Sequence, residues 1–332
     1  MSAGIRVLVA VGMLVLASCT SADSLTDGPQ ESTEPPESTN EPLDQQQGLP
    51  SDSAPQSSTT TTTTTTTTVA SPEAGFPDAS STGPADESLV PPSASGSVSS
   101  SHDGEVLENF HANSLVIVHD DVTVRNFRIT RSDRELWYAI AIQGHASTGA
   151  SVSGTLIEDG EIITRDSAGN PVPSRGTAIN GGGFEARRLE ISHMENGFAC
   201  SECVIEDNYI HDLLPYNDTH NDGVVMTQGV NVTVLHNTIL LPDQQTAAVI
   251  LGTYSGPIDN VLIEGNYLNG GAYTIYSRDN ENGFGSPTNV VVRGNAFGRD
   301  ELYGIFSSDS SDLVWEDNYW ADTGDFIVNG ES

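Results

Sequence analysis

The chain has no lysine, and its 12 cationic side chains, all arginine, face 46 acidic ones for a formal charge of −34. A surface so poor in positive charge repels phosphate backbones, which argues against nucleic acid as a partner. The same field disfavours polyanionic glycans unless a divalent cation bridges them. Aromatic residues make up only 6% of the chain, so any ring exposed in a groove is notable as a contact for a sugar face. There are three cysteines, and the Cys200-Ser201-Glu202-Cys203 pair has no second pair with which to complete a four-cysteine metal site. In an exported protein a short-loop disulfide is one use for that pair, and two stacked reduced thiols are the other. Neither a Gly-rich phosphate loop nor a Gly-x-Ser-x-Gly elbow occurs, so nucleotide chemistry and serine hydrolysis lack support.

Long apolar runs are also missing. The longest, Val7 to Leu16, follows Arg6 and is too short to cross a bilayer as a mature helix. It reads as a secretory signal. The string Leu16-Ala17-Ser18-Cys19 that closes it resembles a bacterial lipobox. That resemblance implies cleavage before Cys19, a lipid on its thiol, and an exported protein anchored at the extracytoplasmic face of the cell membrane. Residues 20–103 run on Ser, Thr, Pro, Glu, Asp and Gln and include ten consecutive threonines, Thr59 to Thr68. Such a segment buries too little apolar surface to offset its conformational entropy, so it is expected to be a disordered tether. Residues 104–332 form the expected folded domain. They carry 33 acidic side chains against 11 arginines, a charge of about −22.

What fills the folded part is repetition. The string Val204-Ile205-Glu206-Asp207-Asn208-Tyr209-Ile210 recurs around Asn237, Asn266, Asn295 and Asn318, with looser copies that put Phe127, Gly160 and Leu189 at the asparagine position. Each copy is a short, β-branched, alternating segment with no room for a helix, and a second strand candidate lies between successive copies. Eight copies at an irregular step predict a stacked β-solenoid whose turn asparagines repeat one set of hydrogen bonds up the stack. The expected fold is all-β: a right-handed parallel β-helix of about eight coils, working as a monomer.

With "VTVRNFRI", "VIEDNYIHDL" and "NVTVLHNTI" in view, residues 104–330 resemble the parallel β-helix proteins of the pectate-lyase-like superfamily. The resemblance specifies the fold and leaves function divided among polysaccharide lyases, glycoside hydrolases, epimerases and surface proteins without activity. Lyases of this kind employ a basic side chain. Without lysine, that role falls to Arg278, whose alternative reading is a surface arginine paired to Asp279.

The densest chemistry sits in "YNDTHNDGVVMTQG", Tyr216 to Gly229, and one coil earlier in "HMENGFAC". Aligning the histidines pairs His193 with His220 and Glu195 with Asp222; aligning the glycines puts Asn196 on Asp222. Three functional readings stay open. Asp222 and Glu195 are an acid–base pair for glycoside hydrolysis; or Asp218, Asp222 and Glu195 hold calcium; or His220 is the base of a lyase or epimerase. Against them stands a purely structural reading, in which Asn217, Asp218, Asn221 and Asp222 bond their own turn and Gly223 supplies the bend. Gln228, His145, Tyr254 and Tyr276 fall at strand ends and are candidates for sugar contacts, with ordinary packing as the alternative. The series Arg125, Arg128, Arg131 and Arg134 reads as mostly solvated. Polysaccharide is the expected partner, bound by an enzyme or by a non-catalytic surface module.

Overall fold

The structure, a computed structural model, describes residues 74–217, 219–241, 246–310 and 312–328. The signal segment, Cys19, the threonine tract and Asp218 lie outside the described residues. What is described is strand and loop, apart from one short 3-10 turn, Glu87–Leu89.

The chain forms a parallel β-helix with three faces. The first face stacks Ser97–Ser99, Ser114–Ile117, Tyr138–Ile142, residues 177–182, residues 196–201, Asp222–Met226, Ala247–Gly252, Tyr273–Arg278 and Gly304–Ser308, each parallel to the next. That makes nine coils. The sequence repeats missed the first of them, in which Phe110 holds the template position beside Phe127. The second face runs from Val106–Ala112 and Thr123–Arg131 to Val314–Glu316. The third is built from short strands such as Tyr209–His211, Thr238–Leu241 and Tyr267–Gly270.

Each face sends one apolar column inward. Leu115, Ile140, Ile179, Phe198, Val224, Val249 and Ile275 are stacked neighbours from the first face. Val124, Ile157, Ala186, Ile205, Val234, Ile263 and Val292 come from the second. Nearly all are fully buried. Burial of each large aliphatic side chain stabilises the stack by about 1.5–3 kcal/mol.

Between the second and third faces the chain bends through a left-handed residue in every coil: Asn109, Asn126, Asp159, Arg188, Asp207, His236, Gly265, Gly294 and Asp317. Asn, Asp and Gly tolerate that conformation best and dominate the column. The template asparagine follows directly. The backbone N–H and the side-chain amide of Asn208 both donate to Asn237 Oδ1 at 2.9 Å, and the pattern repeats through Asn266, Asn295 and Asn318. All five are fully buried, so the ladder satisfies polar groups that would otherwise be orphaned. Below it Asn208 Oδ1 accepts the Leu189 N–H at 2.9 Å, and Gly160 leaves the space into which the Phe127 ring projects.

Residues 74–103, expected to belong to the tether, are part of the fold. Residues 74–95 form a strap across the coils. Phe76 packs between the rings of His236 and Tyr267, and His236 Nε2 donates to Gly75 O. Further along, Gly83 N–H donates to Arg188 O, Asp86 and Asn126 exchange hydrogen bonds, Glu87 pairs with Arg128, and His111 Nδ1 donates to Pro91 O. This segment lacks a hydrophobic pattern because it is held mainly by backbone hydrogen bonds, with Phe76, the buried Val90 and the Glu87–Arg128 pair as its few side-chain anchors.

Candidate functional site

The crowded corner resolves into scaffolding. The strands align by their glycines, so Asp222 stacks on Asn196 and beneath Ala247. Asn196 Oδ1 accepts the Asp222 N–H at 3.1 Å, and Asp222 Oδ1 accepts the Ala247 N–H at 3.1 Å. Each side chain therefore caps the strand one coil above it. Asp222 is buried, and burial pushes its carboxyl up to about 7, with the Ala247 N–H bond opposing the rise and the charge of Glu195 adding to it. Glu195 faces downward, its Oε2 accepting the Gly176 N–H at 2.8 Å, while Asn221 Nδ2 donates to its carbonyl at 3.1 Å.

The expected convergence of His193 with His220 does not occur. His220 is exposed and makes no side-chain hydrogen bond among the described residues. His193 is half-buried in a left-handed conformation, its backbone N–H donating to Asp212 O and its Nδ1 enclosed without a hydrogen-bond partner. Its neighbours are Asp212, His211 and Arg165, and burial lowers its pKa. An acid–base pair of Asp222 and Glu195 would need both carboxylates open to a substrate. Calcium at Asp218, Asp222 and Glu195 would need free oxygens. Asp222 and Glu195 already spend oxygens on backbone N–H groups, and Asp218 lies outside the described residues. A structural role accounts for this corner better than the three chemical ones, but it is not the expected turn: Asn221 and Asp222 bond neighbouring coils, and Gly223 lies inside strand Asp222–Met226, where a side chain would meet Ile239 and the Ala248 carbonyl.

Open space lies instead on the outward side of the first face. Two adjoining depressions of about 210 Å³ and 450 Å³ share Gly181 and Ser201. The smaller has Asn180, Ala199, Val225 and Gln228 in its walls; the larger has Gln143, Gly144, Ser151 and Glu202. The floor is low because Gly181, Gly182, Ala199 and Ser201 stack where larger side chains stand elsewhere. One outward column, Asn180, Ala199, Val225, Ile250, Tyr276 and Ser307, carries the floor on in register. It ends at Arg278, whose guanidinium lies 5.1 Å from the Tyr276 ring centre and 5.9 Å from that of Tyr273, with its Nε donating to Ser307 Oγ at 3.0 Å. Tyr303, 64% exposed, leans on Tyr273. No carboxylate pairs with Arg278 among the described residues, so the expected surface pair with Asp279 is absent.

Of the four sugar-contact candidates, Gln228 lines the groove, Tyr276 stands on the same face, and the half-exposed Tyr254 lies in the loop after strand Ala247–Gly252. His145 lies beyond it, bonded to Asp103 through Nε2 at 2.9 Å. Cys200 and Cys203 are joined in a disulfide under the groove floor.

The arginine series is not uniformly solvated. Arg128 bridges Glu87 and Glu161, while Arg131 is almost fully buried and bonds the carbonyls of Asp133, Leu136 and Arg175. Burial brings the Arg131 guanidinium down to about 10. Sequence reasoning also missed His211. Its Nδ1 faces Asp212 at 2.8 Å and its Nε2 faces Glu190 at 3.2 Å. Burial works against its charge, but the two carboxylates outweigh it and raise the imidazole to about 9. The "IHD" string around Ile210 was the available signal, and it needed Glu190 from the coil below.

Comparison with family models, with curated proteins and with solved structures gives no match to this chain.

Proposed function

We propose that this is an exported protein, lipid-anchored through Cys19, whose β-helix binds polysaccharide along the first face without cleaving it. The observation that carries this reading is the groove: a low floor of Gly181, Gly182, Ala199 and Ser201, with Asn180, Gln143 and Gln228 as neutral hydrogen-bonding groups, running in register to tyrosines and an arginine at one end. Amides grip hydroxyls, and rings stack on the apolar faces of sugars. Arg278, without a carboxylate partner, favours an acidic sugar at that end of an otherwise anionic protein.

The likeness to pectate-lyase-like proteins supports a glycan as the ligand. The lyase and hydrolase readings are weaker, because the carboxylates that prompted them are occupied in bonding neighbouring coils and the two histidines form no hydrogen bond with them. A panel of neutral and uronate-containing polysaccharides, screened by calorimetry and for unsaturated or reducing-end products, tests the proposal. Binding without product is expected, weakened about tenfold by Arg278→Ala or by Gln228→Ala. Product release on any substrate, or binding that neither variant weakens, overturns it.

A further inference from the structure

Three successive coils each place one metal-ligating side chain at the corner between the first and second faces. Asp103 follows strand Ser97–Ser99, Asp120 follows Ser114–Ile117, and His145 follows Tyr138–Ile142. One ligand atom from each lies within 4.8 Å of the others. The corner is held in place around them. Asp120 Oδ1 accepts the Ser153 N–H at 2.8 Å, Asp103 Oδ1 accepts the Asp120 N–H at 3.2 Å, and the His119 ring packs edge-on against His145 with centres 5.6 Å apart. His119 Nδ1 in turn meets Ser100 Oγ at 2.9 Å.

Comparison with the rest of the molecule makes this corner unusual. At several other places an arginine stands between crowded carboxylates: Arg188 reaches Glu158 and Asp159, Arg187 reaches Glu158 and Glu185, and Arg128 reaches Glu161 and Glu87; between Glu190 and Asp212 the bridging group is His211. Asp103 and Asp120 have no arginine partner among the described residues; Asp103 faces His145, and Asp120 accepts from Ser153. Among the described residues no arginine neutralises this corner, where ligand atoms of two carboxylates and an imidazole from three coils converge.

We propose that Asp103, Asp120 and His145 Nε2 bind one divalent transition-metal ion, with water completing its coordination. Two carboxylates and an imidazole suit zinc or its first-row neighbours, whereas calcium takes six to eight oxygens. Ligands about 2 Å from a common ion stand up to about 4 Å apart, so the set contracts by under about 1 Å on binding, within reach of the exposed Asp103 side chain. The proton balance also closes. His145 Nδ1 accepts the Ser147 N–H at 3.2 Å, so the neutral ring carries its proton on Nε2 and donates it to Asp103. Metal binding at Nε2 displaces that proton to Nδ1, where the bond from the Ser147 N–H is given up and one to Ser147 Oγ, 3.0 Å away, takes its place. The ion then staples three consecutive coils near the amino-terminal end of the stack. It also fixes the start of the loop from Gly144 to Val152 that walls the larger depression. The site does not depend on the glycan reading.

The test uses the full-length chain freed of metal by chelation, with Zn²⁺ alone as the probe. One equivalent of Zn²⁺ should bind saturably by calorimetry and raise Tm, and Ca²⁺ at the same concentration should not. Asp120→Asn and His145→Ala should each weaken binding about tenfold or more, with metal-free melting unchanged. Asp103→Asn, at an exposed position, gives the same readout if either of those variants fails to fold. His236→Ala, at a coil bend beneath the strap, should bind as the parent does. Absence of saturable binding, binding unchanged in the ligand variants, or an equal response to Ca²⁺ overturns the proposal.

Discussion

At the corner where Asn196, Asp222 and Ala247 stack, the carboxylate is buried and one of its oxygens caps the next coil. At the corner of Asp103, Asp120 and His145, carboxylates from separate coils remain partly open and meet an imidazole. The first corner is dense in sequence and chemically closed; the second is scattered over three loops and chemically convergent. In a solenoid, neighbours along one loop are fanned out around the turn, whereas residues one coil apart are brought within a few ångströms by the register. Density in sequence therefore measures turn-forming chemistry, and stacking decides which groups meet.

The comparison breaks most readily at its buried side. Asp222→Leu removes the acceptor for the Ala247 N–H inside the stack and should destabilise the protein by about 2–3 kcal/mol in urea unfolding. A loss near zero would mean that the corner is open to water after all.

His211 sharpens the contrast, because it is a charged histidine that two carboxylates have already claimed. Its folded pKa of about 9 lies above its ordinary 6.5, so its contribution is fully present below pH 6.5 and is lost as pH rises through 9. Relative to His211→Gln, the parent should be more stable by about 2 kcal/mol near pH 6, and that advantage should vanish by pH 10. Parallel pH–stability curves for parent and variant would show that the imidazole is not held charged.

Asp222→Asn is a gentler change that keeps the acceptor and copies Asn196 one coil below. The folded carboxyl titrates at about 7 against 3.8 unfolded, so the parent loses stability as pH rises between those values. The variant should gain on the parent across that window and stay ahead above pH 7 by more than about 1 kcal/mol. A constant difference across pH would place Asp222 in water.

The smallest effects belong to exposed groups. Asp103→Asn in metal-free protein and His220→Ala under any condition should leave Tm unchanged. A large loss for His220→Ala would return that histidine to the centre of the site.

Much of the fold was legible in residues that must bond to copies of themselves. Asn208, Asn237, Asn266, Asn295 and Asn318 recur because a buried amide can pass one hydrogen-bond pattern upward, and the looser copies at Phe127, Gly160 and Leu189 aligned correctly because the inward columns share that period. The strap was not legible. Gly75, Gly83 and Pro91 bind through backbone atoms, which leave no trace in side-chain pattern, and few side chains, among them Phe76 and Val90, mark the segment. Within the groove, Gln228 and Tyr276 were recognisable as strand-end residues. His145 carried the same signal and went to a different corner, because the loop from Gly144 to Val152 turns away before the second face begins.

Sequence by itself determined that this chain coils: β-branched alternation sets strands, a left-handed residue, in most coils Asn, Asp or Gly, sets each bend, and repetition requires that successive coils stack. Tertiary structure alone decided which polar groups were consumed by that stacking and which were left to act. Asp222 and Asp103 are the same residue type beside turns of the same solenoid. One became a buried cap because Asn196 and Ala247 lie directly below and above it. The other faces Asp120 and His145 because loops of unequal length end at one corner.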